Sequence, residues 1–457
     1  MPHSHSPKRP PARSHALLMV VLCLLPFVLL ALVLTSAVTI SPWLVLGALA
    51  LCFAVMLFVA HEPDEAAAED PARAVPEEGG GLERGVPEDL ILQTVDVIYP
   101  LAEYRVKDHY VIEGPLLMPP DAAYAELRRR FDASDLVPLL QESDAAHPRL
   151  VLAPAGALPA PTQRQSRAWL NLALLLATLA TTTWAGAAHR GVDLLAEPGR
   201  FAEGLPYALA LLLILGAHEL GHYFTARRHG IAVSLPYFIP IPFALGTFGA
   251  FIKMKSLAAD RRQMFDVAVA GPLAGLVIAI PALLLGLQYS EVVTGPSAPG
   301  MMMGGADVGS SVLFSFLAKA ALGEAILEGH RLVLHPVAFA GWLGLLVTAL
   351  NLVPVGQLDG GHLVHALLGH RTARIVGVTA LGALVVLGLF VWSGLLFWAL
   401  LIYLIAGTSD VPPLNDVSRV GRGRVALGAA TFALLLLILL PVPHALYEAF
   451  GIHSPYL

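Results

Sequence analysis

Charge is scarce in this chain: only 14% of its 457 residues are charged, against 56% that are hydrophobic, and the mean hydropathy is +0.69. A soluble domain does not have that composition; an integral membrane protein does. Cysteine is scarcer still. The two present, Cys23 and Cys52, both lie in apolar runs. They exclude a disulfide framework and a cysteine metal site, and are expected as small buried hydrophobes. The net charge of -6 is unevenly spread, because ten of the 34 acidic residues fall between Glu62 and Asp89. No basic surface for nucleic acid stands out. Nor does the sequence hold a nucleotide loop, a nucleophile motif, a PDZ-like sensor domain or an internal repeat of the kind expected of a transporter.

What the sequence does have is long apolar runs. A bilayer takes about 20 helical residues to cross, and suitable stretches lie near 16 to 35, 168 to 187, 205 to 227, 265 to 287 and 336 to 354. Shorter ones lie at 43 to 60, 374 to 392, 395 to 408 and 424 to 441. The expected fold is an all-α polytopic membrane protein of about nine transmembrane helices. Lys8, Arg9 and Arg13 precede the first run, as in a secretory signal peptide, but its apolar core is too long and a second run follows at once.

Basic residues at span ends stay on the cytoplasmic side. A cytoplasmic N-terminus puts Arg164, Arg167, Arg227, Arg228, Lys253, Lys255, Arg261, Arg262, Arg371, Arg374, Arg419, Arg422 and Arg424 inside, leaving Arg190, Arg200 and Arg331 outside. The expected location is a multi-pass protein of the bacterial inner membrane.

The chain divides into a two-span hairpin (1–60), an acidic flexible linker (61–90), a small cytoplasmic α+β module (91–160), a membrane core (165–410) and a C-terminal span and tail (411–457). The linker is rich in Ala, Pro and Gly, with little to bury. The module lies between the second and third spans. Its "YVIEGPL" and "PRLVLAP" read as strands, and "DAAYAELRRRFDA" as a helix capped by Asp121 with Tyr124, Leu127 and Phe131 on one face. Interaction with a regulatory partner is the role expected of it.

The chemistry begins in "GAHELGHYFTARRHG", residues 216 to 230. Residues four apart share a helix face, so His218 and His222 can aim at one ion while Glu219 reaches a water beside it. Ionisable groups in a membrane helix are costly, and a cation with a held water gives these a function. A catalytic zinc takes three protein ligands. The best third is Asp359 in "NLVPVGQLDGGH", residues 351 to 362, at the cytoplasmic end of another span. His362 and His365 compete with it, and Asp359 also suits an N-cap for a helix over 360 to 370. His218 stands about 13 residues past the outer end of its span, roughly 20 Å in and about 10 Å from the cytoplasmic surface.

"HELGH" in a membrane helix followed downstream by "NLVPVGQLDGG" resembles the site-2 protease family of intramembrane zinc metalloproteases. "PYFIPIPFALGTFGAFIKMKS" and "DVAVAGPLAG" are similar to its cyanobacterial and plastid branch, and the motif-level likeness covers about residues 205 to 370. "GPLL" at 114 to 117 departs from that branch's Gly-Asn-Leu-Arg element. The resemblance implies one Zn2+ held by His218, His222 and Asp359, Glu219 as general base, and Asn351 as a helper for the developing oxyanion. It implies a transmembrane protein substrate, cut near the cytoplasmic side in regulated intramembrane proteolysis.

A helical substrate hides its peptide bonds, so an extended segment must be presented. "IPFALGTFGAFIKM", residues 241 to 254, is expected to dip into the bilayer as a hairpin and take substrate by strand addition, through Gly246, Phe248, Gly249 and Ile252. Gly271 and Gly275 are expected to serve close helix packing. Met301 to Met303 fall in an external loop of about 45 residues, expected as flexible or partly re-entrant. His3, His5 and His15 suit a solvated tail. A metal-handling transporter and an inactive scaffold remain the alternatives; the second ought to lack Glu219 or a ligand.

Overall fold

The computed structural model describes residues 85–143, 147–158, 168–241, 245–294, 311–323, 330–390, 394–407 and 410–440. The first two expected spans, both cysteines, His3, His5, His15, most of the acidic linker and Met301 to Met303 lie outside the described residues.

The α+β module comes first. Helix α1 (Glu88–Leu92) leads into strands β1 (Ala102–Val106) and β2 (His109–Glu113), helix α2 (Pro120–Phe131), and strands β3 (Leu136–Gln141) and β4 (Arg149–Pro154). The strands form one antiparallel sheet in the order β1-β2-β4-β3. Alternation sorts its side chains: Ile112, Leu150 and Leu152 pack under Ala123, Leu127 and Phe131 of α2, while Val111, Leu139, Val151 and Ala153 face the other way and meet Leu414. Both faces are covered, which is why "RLVLAP" is apolar without alternating. Asp121 is not the cap of α2. Pro119 holds that position without a side-chain bond, and Asp121 pairs instead with Arg262 at 2.7 Å.

The membrane core follows as α3 (Ala168–His189), α4 (Leu205–Arg228), the hairpin β5 (Tyr237–Pro240) and β6 (Thr247–Phe251), α5 (Arg261–Gln288), β7 (Glu291–Thr294), α6 (Val312–Leu322), β8 (His330–Val333), α7 (Pro336–Leu352), α8 (Asp359–Leu368), α9 (His370–Phe390), α10 (Gly394–Ala406) and α11 (Arg422–Leu439). Among the described residues, five helices are long and apolar enough to cross a membrane: α3, α4, α5, α9 and α11. The chain is an integral membrane protein. The expected spans from 168 onward each overlap a helix, those at 336 to 354 and 395 to 408 being α7 and α10, which are not among the five. The long connection after α5 carries more order than expected: β7 pairs with β8, and α6 buries Phe314, Leu317 and Ala318 in the same core as α5 and α7.

Helices α4, α5 and α7 form the centre. Small residues let them approach: a Cβ on Gly221 of α4 would come within 2.5 Å of the Ala270 carbonyl of α5, and one on Gly344 of α7 within 2.8 Å of Ile214 in α4. The Asp260 side chain accepts from the Gln263 backbone N–H at 2.8 Å and caps α5. Where α7 stops, Pro354 cannot continue the ladder, and Gly356 turns the chain at φ 49° before α8 begins.

Candidate active site

Histidines 218 and 222 stand one turn apart on α4, both buried, and Asp359 is the first residue of α8. The three converge. Asp359 Oδ2 lies 3.3 Å from His218 Nε2 and 3.3 Å from His222 Nε2, and the two Nε2 atoms are 3.2 Å apart. Ligand atoms about 2.0 to 2.1 Å from one ion at the tetrahedral angle lie about 3.3 to 3.4 Å apart, so this triangle is the face of a zinc-sized tetrahedron. The His222 Nδ1–H donates to the Val267 carbonyl at 2.8 Å, which leaves the Nε2 lone pair aimed into the triangle. These residues fit a zinc ion. The N-cap expected of Asp359 is taken by Leu358, with no side-chain bond. His362 and His365 turn away from the triangle towards Asp410, at 3.3 and 2.6 Å.

Three other expected residues join the cluster. Glu219 is buried in the same turn of α4, with the backbone N–H of Ile252 facing its carboxylate. Asn351, in the last turn of α7, brings its amide Nδ2 to 3.2 Å from His218 Nε2. Ile252 follows directly on β6, so the expected hairpin runs beside Glu219. Its register pairs Tyr237 with Phe251 and Phe238 with Ala250, with an irregularity between Phe238 and Pro240.

The hairpin residues differ in what they do. Gly246, at φ 80°, has its carbonyl bonded by Thr181 Oγ1 at 2.6 Å, and a Cβ there would come within 2.5 Å of Thr182. It anchors the hairpin to α3 and faces no open space. Phe248 is 42% exposed, and a side chain at Gly249 would meet nothing within 4 Å, which leaves these two on the open side. Asn171 and Tyr207, which the sequence did not single out, brace the hairpin by donating to the Pro236 and Leu245 carbonyls at 2.8 and 2.9 Å.

Two further residues were read only as packing. A Cβ on Gly271 would overlap the His222 ring at Nε2, and one on Gly275 would press on His218 at 3.3 Å. Both glycines therefore make room for the imidazoles themselves. The motif "AGPLAG" carries that signal, although a generic helix contact looks the same in sequence.

Residues 206–395 match the family model described as Peptidase family M50. The chain is similar to that family over this segment. It is 39% identical over 257 residues to "Probable zinc metalloprotease EGY1, chloroplastic" of Arabidopsis thaliana, covering 54% of this chain and 45% of that protein. To the Oryza sativa subsp. japonica protein of the same name it is 36% identical, covering 54% and 42%, and to the Arabidopsis thaliana protein named EGY2 34%, covering 53% and 43%. The chain thus spans less than half the length of these curated relatives. No solved structure matches it. The site-2 protease resemblance read from the motifs agrees with the M50 match, and Zn2+ is the metal these relatives are named for.

Proposed function

We propose that this chain is a zinc-dependent intramembrane endopeptidase that hydrolyses peptide bonds of transmembrane substrates near the cytoplasmic side, in regulated intramembrane proteolysis. The observation that carries this reading is the triangle of His218, His222 and Asp359 with Glu219 buried beside it, inside a Peptidase family M50 segment. His218, His222 and Asp359 hold the ion. Bound zinc supplies a Lewis acid that makes a water acidic near neutral pH and polarises a carbonyl. Glu219 takes the proton from the attacking water and returns it to the leaving amine. Asn351 donates towards the oxyanion that develops on the scissile carbonyl. The hairpin takes the unwound substrate as an added strand, with Phe248 and Gly249 on the open side and Ile252 leading to the base.

The setting is a nine-span protein of the bacterial inner membrane with its N-terminus and the 91–160 module in the cytoplasm. Within it, 165–410 is the protease core; the hairpin expected over 1–60 and most of the linker expected over 61–90 lie outside the described residues. The transporter and scaffold readings find less support, since the ligands and Glu219 are all present and the relatives are named metalloproteases.

The test is reconstitution with zinc and a panel of transmembrane peptides, comparing wild type with Glu219→Gln. Wild type is expected to release products and Glu219→Gln none, with zinc bound to both. Equal cutting by Glu219→Gln overturns the assignment of the base, and no cutting by wild type across substrates overturns the protease.

A further inference from the structure

A second buried cluster lies at the other end of α8. His365, fully buried, has Nδ1 at 2.6 Å from Asp410 and Nε2 at 2.8 Å from Asp416. Asp416 also takes the Arg261 guanidinium at 2.8 Å, and Arg261 reaches Glu142 of the soluble module at 2.6 Å. Charges thus alternate from Glu142 through Arg261, Asp416 and His365 to Asp410. His362 and His370 also approach Asp410, at 3.3 and 3.6 Å, but both ring nitrogens of His365 face carboxylates at hydrogen-bond distance, so His365 is an imidazolium bridging two anions.

Two backbone features make the chain of charges a mechanical link. The Leu140 N–H donates to Leu414 and the Asp416 N–H to Leu140, at 2.8 and 2.7 Å, so the segment carrying Asp416 is bridged to the edge strand β3 of the module's sheet. The same segment bonds Ala258 and Ala259 just before α5, and Leu414 fills one face of the sheet. At the C-terminal end of α8, a Cβ on Gly369 would overlap the Glu142 carboxylate. Helix α8 has ten residues, about 15 Å of hydrogen-bonded rod, with the module at one end and Asp359 at the other.

We propose that the soluble module sets the position of the Asp359 carboxylate through α8, with His365 as the positioning residue and Glu142 as the module's contact. This rests on the assignment of Asp359 as a zinc ligand in the proposed function. Displacing the module frees the C-terminal end of α8 and loosens the third ligand, so docking of the module sets metal affinity.

Zinc affinity of the full chain in nanodiscs, measured by competition with a chromophoric chelator, tests this without any cleavage assay. Glu142→Gln and His365→Gln are each expected to weaken zinc binding on the order of tenfold, as supports of metal ligands do. The double variant is expected to lose no more than the worse single one. Arg130→Gln, which breaks the 2.5 Å pair with Asp96 on the module's outer side, is expected to bind as wild type does. Unchanged affinity in a folded Glu142→Gln, or independent losses that multiply, overturns the proposal; so does a second zinc per chain that His365→Gln removes, which makes the cluster a metal site. Should His365→Gln not fold, Glu142→Gln and Asp121→Asn, which breaks the module's 2.7 Å pair with Arg262, carry the test from the module's side of the contact, with the same loss expected of each. Wild type that binds one zinc tightly yet cuts nothing fails the protease reading alone.

Discussion

Gly271 sits directly against His222, on the side of the ring whose Nε2 faces Asp359. A methyl group there must displace either the imidazole or helix α5. Gly271→Ala is therefore expected to reduce bound zinc well below one per chain and to cost about 1 to 3 kcal/mol of stability through overpacking. Elemental analysis and thermal unfolding measure the two effects. Gly382→Ala, at a helix position with nothing within 4 Å, is the comparison and is expected to leave both unchanged. Full zinc occupancy in Gly271→Ala would remove the steric argument.

Asn351 touches His218 from the end of α7, beside the triangle. If its amide meets the developing oxyanion, Asn351→Ala keeps zinc and loses about 10²- to 10³-fold in kcat with KM little changed. Loss of zinc in step with activity would instead make Asn351 a support for His218.

Phe248→Pro removes a backbone donor from the open part of β6 and is expected to impair cleavage of transmembrane substrates while leaving zinc content alone. It is a cleaner probe than Ile252→Pro, because the Ile252 N–H faces Glu219 and its loss also disturbs the base. Normal cleavage by Phe248→Pro would discard substrate capture by strand addition.

The pH dependence of stability tests the charge of His365. Burial pushes its ring towards the neutral form, but the hydrogen bonds to Asp410 and Asp416 outweigh that and push it up to about 10. Its stabilisation is complete below its unfolded value of about 6.5 and is lost as pH rises through the folded value, at up to about 1.4 kcal/mol per pH unit. Melting temperature is expected to fall between about pH 6.5 and 10, and His365→Gln to flatten that fall. Identical slopes in the two proteins would show that His365 is neutral.

Most of the helical plan was legible because an apolar run announces a membrane helix wherever it occurs. The stretch 205 to 227 became Leu205–Arg228, and 265 to 287 became the longer Arg261–Gln288, whose first turn is polar and hidden from a hydropathy reading. Helix α6 was not legible, since its 11 residues are too few to cross a bilayer and it is helical because α5 and α11 cover it. Asp121 had the chemistry of a cap but lies past the prolines that open α2, so its carboxylate went to Arg262.

The sequence by itself determined what a helix repeats locally: His218 and His222 share a face and Glu219 sits between them because 3.6 residues per turn leaves no choice. Tertiary structure alone decided which distant group closes the triangle, that His362 and His365 are claimed by Asp410, and that Gly271 is space for an imidazole. The reason is that a ligand set and an excluded volume are relations between helix surfaces, and residue spacing along the chain carries no record of which surfaces meet.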